Sequence, residues 1–213
     1  MKIDVILLAA GSGRRFSDEK HPGKNKLLHL LGGKPLYLRC FQNWAEAAGT
    51  SEGCRIFAVA REQEILDAAE DMGFFPVDSP ESANGISYSI HAGLHASLEG
   101  GGAERFVFAV ADQPLLQVSS LKRFLQKAAV SDYACLAWEQ ELYNPASFPA
   151  SALPELMALP GDQGGKRVLL GHLDQCARVY ASRREEILDG DTAQEMKELE
   201  RIYAVYQPDH TSV

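Results

Sequence analysis

Cysteine is scarce in this chain and follows no pattern. Four cysteines among 213 residues, Cys40, Cys54, Cys135 and Cys176, stand 14, 81 and 41 residues apart without a Cys-x-x-Cys pair. That spacing excludes a His/Cys zinc site, and reduced, partly buried thiols are expected. Long hydrophobic runs are missing too. The longest, residues 5–10 and 106–111 among them, are six residues, against the roughly 20 needed to span a bilayer. The opening Met1-Lys2-Ile3-Asp4 leads into an apolar stretch ending in glycines, not into a cleavage site, so a cytoplasmic protein without membrane contact is expected. Positive charge is in deficit: 21 Lys and Arg against 29 Asp and Glu leave a formal net charge of −8. Broad nucleic-acid binding is therefore not expected.

The composition, 46% hydrophobic and 23% charged, is that of a globular protein able to bury one sizeable core. A single domain is expected over residues 1–206, followed by a polar tail at 207–213. The charge is uneven. Between Gly11 and Lys34, six basic residues (Arg14, Arg15, Lys20, Lys24, Lys26, Lys34) face only Asp18 and Glu19, leaving that segment at +4 and the remainder at −12. A basic island on an acidic chain suits a local anionic ligand, although solvated loop charges would look the same.

Strand and helix patterns alternate. Residues 3–9, 55–60, 74–77, 106–111, 133–138 and 177–181 read as strands. Helical spacing marks residues 35–48, 62–72, 87–98 (with Ser87 as cap and Gly100-Gly101-Gly102 as stop) and 121–128. Shorter helices are expected at 166–172 and 193–203. The segment 139–165, with four prolines, reads as loop. Both faces of 106–111 are apolar, which places it centrally. The alternation implies a Rossmann-like three-layer α/β/α sandwich with a mostly parallel central sheet, whose ligands bind beyond the carboxyl ends of the strands.

Several strand-end segments could carry chemistry. Leu8-Ala9-Ala10-Gly11-Ser12-Gly13-Arg14-Arg15 gives a glycine turn with backbone N–H groups and two arginines beside it, suited to phosphate. No Gly-Lys-Ser/Thr closes it as a P-loop, and Phe16 stands where a dinucleotide fingerprint needs its third glycine. A plain strand-exit turn is the other reading. Asp112 follows the central strand and is braced by Pro114; it could bind Mg²⁺ or open an Asx-turn. Thr192 and Glu195 form a capping box, and Asp191 just before it is a candidate second metal carboxylate. Asn84-Gly85-Ile86-Ser87-Tyr88-Ser89 precedes a helix whose N-terminus would favour phosphate. The six histidines show no metal spacing; the His91/His95 pair lacks a third ligand.

Taken one at a time these segments have ordinary structural explanations. Their order along the chain resembles that of the MobA-like nucleotidyltransferases. The resemblance is nearest to the molybdenum cofactor cytidylyltransferases and related molybdenum-hydroxylase accessory proteins. It rests on the Leu-Ala-Ala-Gly-x-Gly-x-Arg opening, Asn25-Lys26-Leu27-Leu28, Gly32-Gly33-Lys34-Pro35-Leu36 and the Gly85–Ser89 segment. Asp112-Gln113-Pro114, Asn144-Pro145, Gly161–Lys166 and Asp189-Gly190-Asp191-Thr192 complete it.

The resemblance implies a sheet of the nucleotide-diphospho-sugar transferase type and Mg²⁺-dependent transfer of CMP from CTP to molybdopterin, with release of pyrophosphate. It implies catalytic roles for Arg15, Lys26 and Asp112. Nucleotide contacts would come from Leu8, Ala9, Ala10, Gly11, Gly13, Arg15, Lys26, Gly85, Ser87 and Ser89, and metal binding from Asp112 and Asp191. The double alanine favours the cytidylyl branch over guanylyl relatives, which usually read Leu-Ala-Gly-Gly.

Departures lie at Ser17, at the ten residues between Arg15 and Lys26, at Tyr143-Asn144, and at Gly190 and Ala193. They keep two alternatives in view. One is a sugar-phosphate or alditol-phosphate nucleotidyltransferase of the same fold. The other is a non-catalytic nucleotide- or cofactor-binding accessory protein with a molybdenum hydroxylase as partner. A dehydrogenase is more distant, for want of the third glycine.

Overall fold

The computed structural model describes residues 1–11 and 25–206. The strands are β1 (Ile3–Leu8), β2 (Leu30–Leu31), β3 (Lys34–Pro35), β4 (Cys54–Ala60), β5 (Phe75–Asp78), β6 (Arg105–Val110), β7 (Tyr133–Trp138), β8 (Glu141–Pro149) and β9 (Cys176–Tyr180). The helices are α1 (Leu36–Ala48), α2 (Gln63–Asp71), α3 (Ile86–Glu99), α4 (Val118–Val130), α5 (Leu153–Met157), α6 (Lys166–Leu170) and α7 (Ala193–Tyr206). Seven strands form one sheet in the order β5-β4-β1-β6-β8-β7-β9. Every neighbouring pair is parallel except the two made by β8, which runs antiparallel to both β6 and β7. The sheet is thus mostly parallel, with β6 at its centre.

Alternation along the strands explains the layers. In β1, Val5 and Leu7 point to one face, where Phe41 and Trp44 of α1, Ile65 of α2 and Phe124 of α4 pack. Ile6 points to the other, against Ile90 and Leu94 of α3. β6 divides its side chains likewise, with Val107 and Ala109 on the first face and Phe106 and Phe108 on the second. Both faces are covered, which is why these strands read as continuous apolar runs. A small third cluster joins Leu31 and Leu36 to Met196, Leu199 and Ile202, and so docks α7 on the β2–β3 hairpin.

Two expectations need correction, and one element lies beyond them. Residues 139–165 are not loop throughout: they contain the nine-residue strand β8 and the short helix α5. Pro145 is tolerated because pairing jumps from Cys135–Ala146 to Leu136–Tyr143, leaving Asn144 and Pro145 in a bulge outside the ladder. Second, α3 begins at Ile86 with Gly85 as its N-cap, so Ser87 lies inside the first turn and does not cap it. The hairpin of β2 and β3 gave no readable periodicity, being two residues a side.

At the amino end of the sheet, Asp4 is fully buried yet charged. It accepts hydrogen bonds from Arg55 Nε (2.8 Å) and Nη2 (2.6 Å) and from the Ser97 hydroxyl. Arg55 also reaches the carbonyls of Gly100 (2.7 Å) and Gly102 (3.1 Å). The pair therefore ties β1 and β4 to the end of α3. The four cysteines are free thiols, and the sulfurs of Cys135 and Cys176 lie 3.6 Å apart on neighbouring strands.

Candidate active site

β1 and β6 end side by side, delivering Ala10, Gly11 and Asp112 to one edge of the sheet. Asn25 Oδ1 accepts the Leu27 N–H at 3.0 Å and so caps the short 3₁₀ turn Lys26–Leu28. That turn projects the Lys26 side chain into the edge. Its ammonium lies 2.7 Å from Asp112 Oδ2, pairs with Asp191 Oδ1, and stands 3.4 Å from the Asp189 carbonyl oxygen. Two acids 79 positions apart thus meet on one cation, which is itself only 5% exposed.

Asp191 reaches this point because Gly190 permits a tight passage over α7. Its φ is +60°, and a Cβ there would come within 2.8 Å of Leu199 Cδ1 and 2.9 Å of Met196 Cε. The expected capping box closes the turn: Glu195 accepts the Thr192 N–H at 2.8 Å, and the Thr192 hydroxyl accepts the Glu195 N–H at 3.2 Å.

The electrostatics follow from crowding. Burial alone would lower the Lys26 pKa, but the Asp112 charge and the hydrogen bonds to Asp112 and Asp191 outweigh it and hold the ammonium above its ordinary value. The Asp189 carboxyl is pushed upward, first by burial and then by the negative charges of Asp112 and Asp191.

Two clefts, each of about 220 Å³, open on either side of Asp112, and Asp112 and Val110 line both. The first is walled by Leu8, Ala10 and Gly11 from the β1 turn, by Lys26, and by Gly85 and Ser89 from the start of α3. The second holds Tyr143 and Asn144 of the β8 bulge, Lys166, Asp189 and a wall of Leu142, Leu169 and Ile187.

The α3 side of the first cleft is built by close backbone approach. Gly85 has φ +143°, and a Cβ there would fall 2.4 Å from the carbonyl group of Gly161. Ser87 donates its N–H to the Gly161 oxygen at 3.0 Å, which seats the Gly161-Asp162 turn against the helix start. Ser82 hydrogen-bonds to both Ser79 and Ser89 through hydroxyls 2.7 Å apart.

Of the residues singled out from sequence, Leu8, Ala10, Gly11, Lys26, Gly85, Ser89 and Asp112 gather around the first cleft, and Asp191 joins through Lys26. Ala9 does not line it. Its methyl is buried in the α1-side core, and its N–H extends the sheet by bonding Val59 O at 2.8 Å. Ser87 does not line it either, being buried behind the helix start. Gly13 and Arg15 lie outside the described residues, as do His21 and His210.

Sequence reading missed Ser82, Lys166 and Asp189 as individual contributors. Asp162 and Lys166 belong to the late Gly161–Lys166 segment, so a signal existed for them. Among the remaining histidines, His29 pairs with Glu200 (2.8 Å), His91 with the Leu156 carbonyl (3.1 Å), and His172 with Glu155 (3.1 Å) while stacking on Tyr133.

This glycine turn, lysine and pair of acids at the end of a mostly parallel sheet coincide with a family match over residues 5–177, four-fifths of the chain. The chain belongs to the MobA-like NTP transferase domain family. It is similar to the molybdenum cofactor guanylyltransferase of Histophilus somni (strain 2336), with 24% identity over 95% of this chain and 98% of that protein. It is 30% identical to the purine catabolism protein PucB of Bacillus subtilis (strain 168), over 89% of this chain and 92% of that one. Among solved structures, a nucleotidyl transferase from Methanothermobacter thermautotroptrophicus superposes with a TM-score of 0.80 at 21% identity, covering 97% and 99% of the two chains. A Mycobacterium tuberculosis protein solved as a complex with manganese gives 0.72 at 18% identity, covering 94% and 99%. Family and fold together make this MobA-like chain a nucleotidyltransferase.

Proposed function

We propose that the chain transfers CMP from CTP to the terminal phosphate of molybdopterin, with release of pyrophosphate, in a reaction that requires Mg²⁺. The observation that carries this reading is the position of Asp112 where the two clefts meet, with the Lys26 ammonium 2.7 Å away on the side of the first. A phosphorylated acceptor in one cleft can there approach a nucleoside triphosphate in the other. An acceptor phosphate oxygen bonds to the α-phosphorus as the bond to the bridging β-phosphate oxygen breaks, and pyrophosphate leaves.

The residues fit a divalent cation. Among the described residues no group of three or more His, Cys, Asp or Glu is arranged to hold a metal ion alone. A Mg²⁺ site, however, needs only one or two carboxylates, the rest of the shell being water and phosphate. Asp112 and Asp191 already converge on a positive charge, the Lys26 ammonium, which stands in for a cation between them. These two carboxylates would hold Mg²⁺, which when bound neutralises the phosphate charge. The chain's own groups do the positioning. Gly11 lets the backbone approach the phosphates, and Lys26 supplies a charge that Asp112 and Asp191 hold in place. The role of Arg15 is carried over from its place in the opening motif.

The two cleft walls support this choice of base and acceptor. Ala10 presents a methyl to the first cleft where a glycine would leave space, which favours a pyrimidine over a purine. The second cleft pairs an apolar wall with Lys166, Tyr143 and Asn144, a combination suited to a flat heterocycle carrying a phosphate. The H. somni relative, named for the molybdenum cofactor, supports the acceptor class but carries guanylyl in its name.

A thermal-shift comparison of the four nucleoside triphosphates, each with and without Mg²⁺, tests the donor. CTP with Mg²⁺ should give the largest rise in melting temperature. A larger rise with GTP would overturn the base assignment. Pyrophosphate release with molybdopterin set against sugar phosphates and alditol phosphates tests the acceptor. Binding of CTP without product from any of them would instead favour an accessory protein.

A further inference from the structure

We propose that the protein carries a second anion site, separate from the two clefts, which takes a phosphorylated small molecule of nucleotide size. A cavity of about 790 Å³ lies on the α1/α4 side of the sheet, between the β2–β3 hairpin, the loop 114–117, the start of α4 and α7. It shares no lining residue with either cleft. Lys34, Arg39 and Arg183 line it, and among the described residues no Asp or Glu does. On a chain of net charge −8, Lys34 and Arg39 beside one hollow with no lining carboxylate among the described residues favour an anion there.

Among the described residues, Arg39 is held in place by neutral partners. Its Nε donates to the Leu31 carbonyl (2.7 Å), its Nη2 to the Gly32 carbonyl (2.9 Å), and its guanidinium lies 4.2 Å over the Tyr203 ring. The fork is thereby preorganised while its charge meets no carboxylate among the described residues, the state in which arginine takes phosphate oxygens best. Lys34 donates to the Gln42 amide oxygen at 3.4 Å.

The cavity wall is prebuilt as well. Asn43 Nδ2 donates to the Leu116 carbonyl at 2.9 Å, and the backbone N–H of Gln117 is taken by buried Glu186 at 3.2 Å. The first backbone bond of α4 runs from Leu121 N to Gln117 O, so the N–H groups of Val118 and Ser119 precede the helical ladder at the cavity rim.

Size decides between an ion and a larger ligand. A single phosphate would fill a small part of 790 Å³, whereas ligand pockets of roughly 300–1,000 Å³ enclose small organic molecules. Gln42 and Ser119, with amide and hydroxyl groups at the wall, suit the hydroxyls of a sugar joined to the phosphates.

Isothermal titration in EDTA buffer with inorganic pyrophosphate and with CDP tests the site. The Lys26→Ala background weakens binding at the catalytic edge. One saturable site should remain in that background, with CDP tighter than pyrophosphate. Adding Lys34→Gln and Arg183→Gln should weaken it at least tenfold while the melting temperature holds. Arg39→Lys, which keeps the charge and loses the fork, should weaken it too. Absence of a saturable site in the Lys26→Ala protein would overturn the proposal, as would affinities unmoved by Lys34→Gln with Arg183→Gln. Because the catalytic edge is altered in every arm, failure here leaves the transferase reading intact.

Discussion

Lys26 sits buried between two carboxylates, and its charge is held by them. With a folded pKa above its ordinary 10.5, the ammonium contributes stability that is fully present below about pH 10.5 and fades as pH climbs through the folded value. Lys26→Ala should therefore be less stable than the natural chain by about 1–3 kcal/mol at pH 7.5, with the gap narrowing as pH climbs past 10.5, measured by urea unfolding at pH 7.5 and above pH 10.5. An equal gap at both pH values would contradict the pairing. Asp4 presents the same physics in a purely structural setting: Asp4→Ala strands the Arg55 guanidinium and should cost about 3–5 kcal/mol in the same assay. Asp112 and Asp191 were legible because each follows a strand or precedes a cap within an ordered set of motifs. Asp4 was not, since an isolated acid gives no spacing from which a partner can be inferred; Asp189 stands in the same motif as Asp191, but its role shows only in the folded site.

The elements meet through glycine at two contacts that decide the site's shape. Gly93 lets α3 lie on the sheet: a Cβ there would come within 2.3 Å of Ile6 Cγ2 and 3.1 Å of Val59 Cγ2, both in the core. Gly93→Ala should lower stability by about 1–3 kcal/mol, checked by thermal or urea unfolding. At Gly85 both the left-handed φ and the 2.4 Å approach to Gly161 forbid a side chain. Gly85→Ala should displace the Gly161-Asp162 turn from the first cleft, and titration should show nucleotide affinity falling at least tenfold. Helices and parallel strands were readable from periodicity because each buries a continuous face. β8 was hidden because two of its nine residues bulge out of register and its prolines, normally loop signals, sit in that bulge and at its end. Ser87 misled in the same way, its capping chemistry being real but the turn being set by the glycine two positions earlier.

For the molecule as a whole, the order of strand-end motifs carried more information than any one of them. It located the sheet edge and most of the first cleft. It could not locate the second cleft, whose walls come from β8, α6 and the segment before α7, or the basic cavity, whose cations are scattered from Lys34 to Arg183. Such convergence is a property of the folded chain, not of any stretch of it. The central claim is that Asp112 and Asp191 act together on a nucleoside triphosphate. Pyrophosphate release, followed with CTP, Mg²⁺ and a phosphorylated acceptor, tests it in the natural chain and in folded Asp112→Asn and Asp191→Asn variants. Turnover should fall by about 10²-fold or more in each variant, assayed at a temperature where its unfolding curve shows it folded. Undiminished pyrophosphate release from either folded variant would contradict the account.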